Sequence, residues 1–576
     1  MSTRGSAGLP DLALVLVVLV LASFGVFRMG PSDIPEHLMM GRLIWETKAP
    51  ITTNLVSWTY PDHPNDQQYP LYQIGLYLMM SRLGWWSLSV FCCLTWTAAG
   101  LAWIRWAGTL RQCGDLSVVW LFAVLGIQRH LVARPEVFTF GGMALLLLAF
   151  EAWRRGQGRA PLVAMIVIQW LMVNTHQLFL LGWVLLWGFV AHLALTRLLA
   201  GRGWLDDADA ALPIAPVAVT AALGVGIGVL SPNGPAVFRA PLSLLTTMTE
   251  LGATAGGGFQ SAELAPIWTD PIGLVATGVL TIAVGTAAWR SRGRWRLYEL
   301  GVLLVGAAMV AAALRGIPFY AAAAAAVATR WSRRAPPLLP VTSPVRAVAA
   351  GVVVVLAGSL LLQNLRPRPH AYLARQYGVG KSIGEWGEHT TAFLRQTPPP
   401  GEMLNIGWVA ANYLNFDVYP VRRVFVDGRW EAYPKPFLAR TMAMMEDADV
   451  LQELIDEWRP GFVLAEMRMP SQQQRLAELV AGGRWRLVYV DSITAIAAAV
   501  EPSTAAYLEA HGLQPAQIQP PDWLPDHPVL HAQQQIRVAR LLRYLGEEQA
   551  AASLLEAARA LADDPFVAHD LTTVSP

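Results

Sequence analysis

Hydrophobic residues in the first 365 positions are grouped into long apolar runs separated by short polar segments. Such runs are typical of membrane-spanning helices, which need about 20 apolar residues to cross the hydrocarbon core. Several runs are shorter than this, so the third, fourth and fifth are predicted to be tilted or partly re-entrant. We predict eleven spans, at residues 10–28, 84–106, 115–129, 136–153, 160–175, 177–197, 213–231, 271–289, 297–314, 317–331 and 345–364.

The pattern changes after the last predicted span. Pro367 and Pro369 indicate a linker, and short apolar runs then alternate with amphipathic ones as far as residue 501. This alternation favours a small α/β domain with a partly parallel sheet. The predicted strands cover residues 402–406, 423–426, 461–465, 484–490 and 493–500, and the predicted helices cover 407–415, 435–458 and 470–482.

The end of the chain has a third pattern. Residues 515–528 are rich in proline and are predicted to be irregular. Two amphipathic helices follow, at 529–545 and 547–561, on either side of Gly546. The pair resembles one tetratricopeptide-type hairpin, and since one repeat is too few for a solenoid, it could cap the α/β domain. The predicted division is a transmembrane domain over residues 1–365, an α/β domain over 366–502, and a linker with a helical tail over 503–576.

The composition supports a polytopic α-helical membrane protein with one soluble part. Of the 576 residues, 54% are hydrophobic and 15% are charged, a balance that soluble domains rarely show. The formal net charge of +2 argues against a nucleic-acid partner, which requires a basic surface. The three cysteines, Cys92, Cys93 and Cys113, all precede the α/β domain, so neither a disulfide framework nor a Cys-x-x-Cys metal site is expected there.

Arginines are concentrated in alternate loops between the predicted spans. By the positive-inside rule those loops are cytoplasmic, which places the N-terminus inside and both the first loop and everything after residue 365 outside. In a bacterial cell this predicts a multi-pass inner-membrane protein with a periplasmic α/β domain. Residues 12–27 could also be a signal peptide, but an uncleaved anchor is favoured because many spans follow. The arginines are Arg105, Arg111, Arg154, Arg155, Arg159, Arg197, Arg202, Arg290, Arg292, Arg294, Arg296, Arg330, Arg333 and Arg334.

A polar stretch follows the first span directly, starting at Asp33 and continuing to Ile44. If Pro35 begins a helix, Asp33 is at its N-cap and His37 lies one turn further on. An acid and a histidine are costly to keep so close to a membrane segment, which favours a functional role. The alternative is a capped juxtamembrane helix with solvated polar residues.

The predicted topology brings further polar residues to the same outer face. Each alone is explained as a helix cap or a loop residue, but together they indicate a polar cavity at the outer leaflet. In the α/β domain, Asp427 follows a predicted strand and is open to two interpretations, a site at the strand end or a turn. The outer-face candidates are Asp33, Glu36, His37, Arg134, Glu136, Asn174, His176, Asn233 and Arg315.

This set of residues suits chemistry on a lipid-linked sugar. A polyprenyl phosphate presents its head group at this depth, and a carboxylate can act as general base toward an acceptor hydroxyl. Arg134 or Arg315 could bind the leaving phosphate through the guanidinium fork. A divalent metal could replace or assist these arginines, although no ligands are assigned to it.

Several motifs occur in a fixed order along the chain. They are Asp33 with His37, Gly41 and Ile44; Ser57-Trp-Thr-Tyr60; Arg134-Pro135; Asn174-Thr-His176 before Gly182; and Phe425-Val-Asp-Gly-Arg429. Together they resemble the GT-C superfamily of polyprenyl-phosphate-dependent glycosyltransferases, and more closely GT-C-like bacterial membrane proteins with a C-terminal periplasmic α/β domain. The resemblance covers most of residues 1–500. It implies that an acid in the first outer loop is the catalytic base, a place that Asp33 matches.

The chain departs from the family pattern late in the first outer loop, where members often carry a second acidic element and this chain has Tyr69 and Gln73. Two interpretations therefore stay open. One is a glycosyltransferase that moves a hexose or pentose from a polyprenyl-phosphate donor to an outer-face acceptor, with Asp33 and His37 catalytic and the other candidates binding substrate. The other is a non-catalytic subunit of a membrane complex that docks a protein partner through residues 366–576. A transporter is disfavoured, because the charged residues cluster at one face rather than near the midplane.

Overall fold

The computed structural model describes residues 8–30, 33–65, 69–202, 206–239, 265–291, 295–335, 344–365, 376–519, 528–561, 565–572 and 574. Three sequence features lie outside these ranges: the glycine-rich stretch at 256–258, the linker prolines Pro367 and Pro369, and most of the proline-rich segment before the tail.

Helices occupy all of the predicted apolar runs, with bounds that differ from the predicted ones by a few residues. Helix α2 begins next to Pro35, as expected, whereas α3 was not anticipated. The described helices up to residue 365 are α1 (Leu9–Gly25), α2 (Ile34–Thr47), α3 (Pro70–Leu83), α4 (Trp86–Ala107), α5 (Leu110–Gly114), α6 (Ser117–Ile127), α7 (Glu136–Arg154), α8 (Ala160–Thr175), α9 (Leu180–Leu199), α10 (Ile214–Gly226), α11 (Pro271–Ser291), α12 (Leu297–Ala312), α13 (Ile317–Ser332) and α14 (Pro344–Leu365).

Five of these helical segments are long and apolar enough to cross a membrane by themselves. Others, such as α1, α8 and α12, are apolar but shorter than 18 residues. The predicted total of about eleven spans therefore stays a prediction. The five segments are Trp86–Ala107, Glu136–Arg154, Gln177–Leu199, Pro271–Ser291 and Pro344–Asn364.

Helix α13 lies at the centre of the helical domain, where every residue from Ile317 to Trp331 is buried. It packs against α4, α6, α11 and α12. Its run of alanines lets these helices approach closely, as small residues do in membrane bundles. At Gly306 of α12, a Cβ would lie only 2.8 Å from the Cα of Tyr320.

A buried network of ion pairs surrounds the C-terminal end of α13. Arg330 Nε contacts Glu299 Oε1 at 2.6 Å, and its terminal nitrogen contacts Glu151. Arg334 reaches the same Glu299 oxygen at 2.6 Å, and Arg154 contacts Asp209 at 2.7 Å. Several of the arginines that determined the predicted orientation are therefore neutralised by acids from neighbouring helices.

The second domain is built on a four-stranded mixed sheet in the order β1-β2-β4-β3. Strand β1 pairs in parallel with β2, while β4 pairs antiparallel with both β2 and β3, which confirms the predicted partly parallel sheet. The elements are α15 (Glu388–Gln396), β1 (Met403–Asn405), α16 (Trp408–Val418), α17 (Lys435–Ala443), α18 (Ala448–Trp458), β2 (Phe462–Glu466), α19 (Pro470–Ala481), β3 (Trp485–Val490), β4 (Thr494–Ala499) and α20 (Ala505–His511).

Two predicted elements of this domain were wrong. Residues 423–426 do not join the sheet, because Val424 instead forms an isolated bridge with Ser57 in the loop between α2 and α3, which we call the first outer loop after its predicted side. The single helix predicted at 435–458 is two helices, because Asp447 accepts a hydrogen bond from the Asp449 amide at 2.9 Å and begins α18.

The tail consists of α21 (Pro528–Tyr544), α22 (Glu548–Leu561) and a further short helix, α23 (Pro565–Thr572), that was not predicted. Ile536 and Leu541 of α21 lie in the same hydrophobic core as Val463 of β2. Trp58 and Tyr60 of the first outer loop pack against this core too. The α/β domain, the tail and the outer loop are therefore parts of one packed unit.

Candidate functional site

Asp33 lies at the N-cap position of α2, as predicted, but its side chain does not cap the helix. Its Oδ2 instead contacts Arg134 Nε at 2.6 Å. The carboxylate is therefore paired with an arginine and not with the amides at the start of the helix. The Arg134 loop is held in place because the Tyr72 hydroxyl donates to the Ala133 carbonyl at 2.6 Å.

His37 is enclosed one turn further along α2. It is 6% exposed and meets the rings of Tyr69 and Tyr72 edge-on, at centroid distances of 5.5 and 5.1 Å. Its Nδ1 accepts from Gln73 Nε2 at 3.4 Å, so its proton lies on Nε2. Burial lowers the pKa of His37 to about 4, and the ring is therefore neutral at neutral pH.

Gly41 explains why α2 can bring His37 so close to α3. A Cβ at this position would lie 2.0 Å from the carbonyl oxygen of Gln73. Only a glycine permits this approach, which gives a physical role to one residue of the family-like motif.

A second ion pair joins the first residue of α7 to the segment before α13. Glu136 is 2% exposed, and its Oε2 lies 3.6 Å from Arg315 Nε. His176 is buried nearby, where its Nδ1 lies 2.9 Å from Thr139 Oγ1 and its ring stacks at 6.2 Å on Tyr69. Tyr69 thus links the two halves of the site.

The remaining two candidates have local roles. Asn174 is buried, and its amide donates to the Trp170 carbonyl at 2.9 Å within α8. Asn233 precedes the short helix Gly234–Phe238, where its carbonyl accepts from the Ala236 amide at 3.0 Å. Such contacts are common at helix ends and in turns. They agree with the explanation of each residue as a helix cap or a loop residue.

Asp33 and Glu36, at the N-terminal end of α2, have opposite electrostatic environments. Burial acts to raise the pKa of Asp33, but the charge of Arg134, aided by His37 and Arg315, outweighs it and holds that pKa below its usual value. Burial raises the pKa of Glu36 well above its usual range, and the carboxylate of Asp427 raises it further. Asp33 is therefore ionised at neutral pH, and Glu36 takes up a proton much more readily.

Asp427 and Arg429 of the α/β domain form a buried ion pair against α2. Their side chains are 0% and 2% exposed, and Arg429 contacts both carboxylate oxygens, the shorter distance being 2.6 Å. The same guanidinium donates to Asn54 Oδ1 in the first outer loop. Gly428 lies against Glu36, since a Cβ there would be 3.0 Å from Glu36 Oε2. Asp427 and Arg429 therefore lie where the α/β domain contacts α2, beside the candidate site.

The site also contains residues that the sequence interpretation left out. Tyr72 and Asn54 were not selected, while Tyr69 and Gln73 were noted only as substitutes for acids. The proline at position 70, with aromatic residues on both sides, was a signal for the start of α3. Within the described ranges, no group of three or more histidine, cysteine, aspartate or glutamate side chains is arranged to hold a metal ion.

Comparison with known proteins identifies the fold. No protein-family model and no curated protein matches the chain. The archaeal oligosaccharyltransferase AglB from Archaeoglobus fulgidus, solved with an inhibitory peptide and a dolichol-phosphate, aligns with a TM-score of 0.56 at 11% identity, over 82% of this chain and 72% of that one. An Archaeoglobus fulgidus oligosaccharyltransferase in complex with zinc and sulfate aligns with a TM-score of 0.50 at 11% identity, over 84% and 73% of the two chains. The similarity shows that this chain has a GT-C-like fold.

Proposed function

We propose that the chain is an integral membrane glycosyltransferase that moves a sugar from a polyprenyl-phosphate-linked donor to an acceptor at the outer face of a bacterial inner membrane. The observation that carries this proposal is an ionised carboxylate, Asp33, beside two arginines at the point where the outer loops meet. The GT-C-like fold supports it, since the similar AglB was solved with a dolichol-phosphate.

Asp33 is the proposed general base. Its side chain is 39% exposed, so an acceptor hydroxyl can reach it. The hydroxyl oxygen attacks the anomeric carbon, the carbon–oxygen bond to the phosphate breaks, and the hydroxyl proton passes to Asp33. The lipid phosphate leaves with the bonding electrons and is stabilised by positive charge.

Arg134 and Arg315 are the proposed phosphate contacts. Both are partly exposed, at 25% and 31% of their side-chain surface. In the free site Arg134 pairs with Asp33, which keeps the carboxylate a weak base. A phosphate that shares the charge of Arg134 would raise the basicity of Asp33, so donor binding would activate the base.

The other candidates would shape the site. Neutral His37 would orient a hydroxyl through its Nε2 proton, and Glu136 would hold Arg315 in position. Glu36, in its protonated form, would donate a hydrogen bond to the acceptor. His176, Asn174 and Asn233 would support the surrounding loops. Contacts with the bound sugar would determine whether a hexose or a pentose is transferred.

The second candidate function is that of a non-catalytic subunit. One observation favours it: Tyr69 and Gln73, which replace the second acidic element of the family, pack directly against His37. In this case the α/β domain and the tail would provide the surface for a protein partner.

The deciding experiment compares Asp33→Asn with the control variant Asp62→Asn, an exposed acid of the same loop. Each purified protein is placed in proteoliposomes with undecaprenyl-phosphate hexose or pentose and a cell-envelope extract that supplies acceptor hydroxyls, and release of free undecaprenyl phosphate is measured. We expect Asp33→Asn to lower turnover by ~10²-fold or more and Asp62→Asn to match the wild type. Equal turnover by both variants would remove Asp33 as the base. Full rescue of a deletion strain by Asp33→Asn would favour the subunit.

A further inference from the structure

Tyr69, at the N-cap of α3, is in contact with both halves of the candidate site. Its ring meets His37 edge-on at a centroid distance of 5.5 Å and stacks on His176 at 6.2 Å. The residue is only partly buried. In the described part of the chain its hydroxyl has no hydrogen-bond partner, whereas the hydroxyl of Tyr72 donates to the Ala133 carbonyl. An unpaired, partly exposed polar group inside a site is available to a substrate.

The charges around the phenol of Tyr69 keep its proton in place. Burial raises the pKa of Tyr69, and the carboxylate of Glu431 raises it further. The carboxylate of Asp33 acts in the same direction, while the charge of Arg315 opposes both acids. The hydroxyl is therefore neutral at neutral pH, and it can donate a hydrogen bond but cannot serve as a base.

Both arginines of the site lie near the ring on which Tyr69 stacks. Burial lowers the pKa of His176, and the charges of Arg315 and Arg134 lower it further. Because the interaction between charges weakens with distance, both guanidinium groups must lie close to this imidazole. A phosphate held by the two arginines would therefore come within reach of the Tyr69 hydroxyl.

A phosphate that leaves with the bonding electrons gains negative charge and is stabilised by hydrogen-bond donors as well as by cations. A further cation would lower the basicity of Asp33, as Arg134 already does, whereas a neutral phenol donates without adding charge. We propose that the Tyr69 hydroxyl donates a hydrogen bond to the phosphate of the lipid-linked donor, beside Arg134 and Arg315. This inference rests on the proposed function, since it concerns the same phosphate.

The proposal gives a role to the position at which the chain departs from the family pattern. A second carboxylate in place of Tyr69 would lie near Asp33 and Glu431, and it would repel these acids and the phosphate unless a cation bound there. A phenol avoids that repulsion. If Tyr69 binds the phosphate, its presence no longer favours the interpretation as a non-catalytic subunit.

The test is Tyr69→Phe, which removes the hydroxyl and keeps the ring against His37 and His176. The matched control is Tyr544→Phe, at an exposed position of α21. Binding of undecaprenyl phosphate to each full-length protein is measured in detergent, and transfer is measured in proteoliposomes as for Asp33→Asn. We expect Tyr69→Phe to weaken this binding and to lower kcat by roughly tenfold each, as the loss of a hydrogen bond to a charged group predicts. The control should match the wild type.

A second variant covers the case in which Tyr69→Phe lowers the melting temperature. A fluorinated tyrosine is then introduced in place of Tyr69, because it keeps the shape of the side chain and is a stronger hydrogen-bond donor. It should bind undecaprenyl phosphate more tightly than the wild type does, and unchanged binding would contradict the proposal.

Equal binding of undecaprenyl phosphate by Tyr69→Phe and the wild type would overturn the proposal. If the variant raised only the KM for the acceptor, the hydroxyl would be assigned to the acceptor instead. Failure of this inference alone would leave Asp33→Asn inactive and Tyr69→Phe fully active. A wild type that neither binds undecaprenyl phosphate nor releases it from the sugar donor would refute the proposed function together with this inference.

Discussion

Removal of the Arg429 guanidinium should destabilise the contact between the two domains more than removal of a charged group at the surface would. Arg429 and Asp427 are 2% and 0% exposed, and the guanidinium also donates to Asn54 Oδ1. The variant Arg429→Gln leaves the Asp427 carboxylate buried without its cation. Breaking a buried pair in this way costs about 3–5 kcal/mol, because the remaining charge keeps its desolvation penalty.

A double-mutant cycle separates the ion pair from the loss of packing. Asp427→Asn alone should also be costly, since it leaves a buried cation. The double variant Asp427→Asn/Arg429→Gln removes both charges, so its cost should be smaller than the sum of the single costs by ~2–3 kcal/mol. Arg440→Gln is the matched control, because Arg440 pairs with Glu457 at 2.6 Å where both side chains are exposed. That change should cost about 1 kcal/mol or less.

The assay is pulse proteolysis of the detergent-solubilised protein in increasing urea, with the surviving α/β domain quantified on gels. The midpoint shift gives the change in unfolding free energy when the urea dependence is unchanged. An Arg429→Gln variant that behaves like Arg440→Gln would refute the reasoning. So would a cycle in which the single costs add up to the double cost.

Three further predictions follow from the same geometry. His37 has a pKa of about 4 in the folded protein against 6.5 for the free side chain, so the unfolded chain binds the proton first as the pH falls. The stability of the folded protein should therefore fall as the pH drops from 6.5 toward 4. The variant His37→Gln should flatten this part of a profile of melting temperature against pH, and an unchanged slope would contradict the prediction. Trp58→Ala should lower the free energy of unfolding by about 3 kcal/mol, because the ring packs on Phe425 and its indole donates to the Met403 carbonyl at 2.8 Å. The control Trp45→Ala, at an exposed position, should change the urea midpoint little. A cysteine at exposed Gln474 should react with an impermeant thiol reagent in intact spheroplasts, and labelling only after lysis would contradict the proposed orientation.

The hydrophobic pattern was sufficient to predict the long apolar helices, because burial in a membrane or a bundle requires long apolar runs whatever the neighbours are, whereas the less apolar α3 and the short α23 were missed. The sheet strands were found for a similar reason. Residues 423–426 were assigned wrongly because their apolar side chains do enter a core, but the backbone of Val424 is hydrogen-bonded to Val56 and Trp58, which lie in a distant part of the sequence. Local pattern carries no information about which segment a strand-like stretch will meet.

The proximity of several candidate residues could be predicted from the topology, but their individual contacts could not. The placement of Asp33 near Arg134 follows from topology alone, since both lie in loops of the same predicted face. The pairing of Asp33 with Arg134 instead of with the helix amides depends on where the Tyr72 hydroxyl holds the loop. Gln473 of α19 is fully buried because α21 packs over it, and the local pattern of residues 470–482 gives no information about that contact.

The aromatic residues of the first outer loop have a consequence for how the protein is made. The indole N–H of Trp58 donates a hydrogen bond to the carbonyl of Met403, which is 345 positions later in the chain. At about 5–20 residues per second, the ribosome needs ~20–70 s to produce that partner after the tryptophan has emerged. During this interval most of the apolar helices are inserted while Trp58 and Tyr60 lack the core they will join. A chaperone that shields this short aromatic segment during synthesis should therefore raise the yield of folded protein more than one that acts on the finished chain.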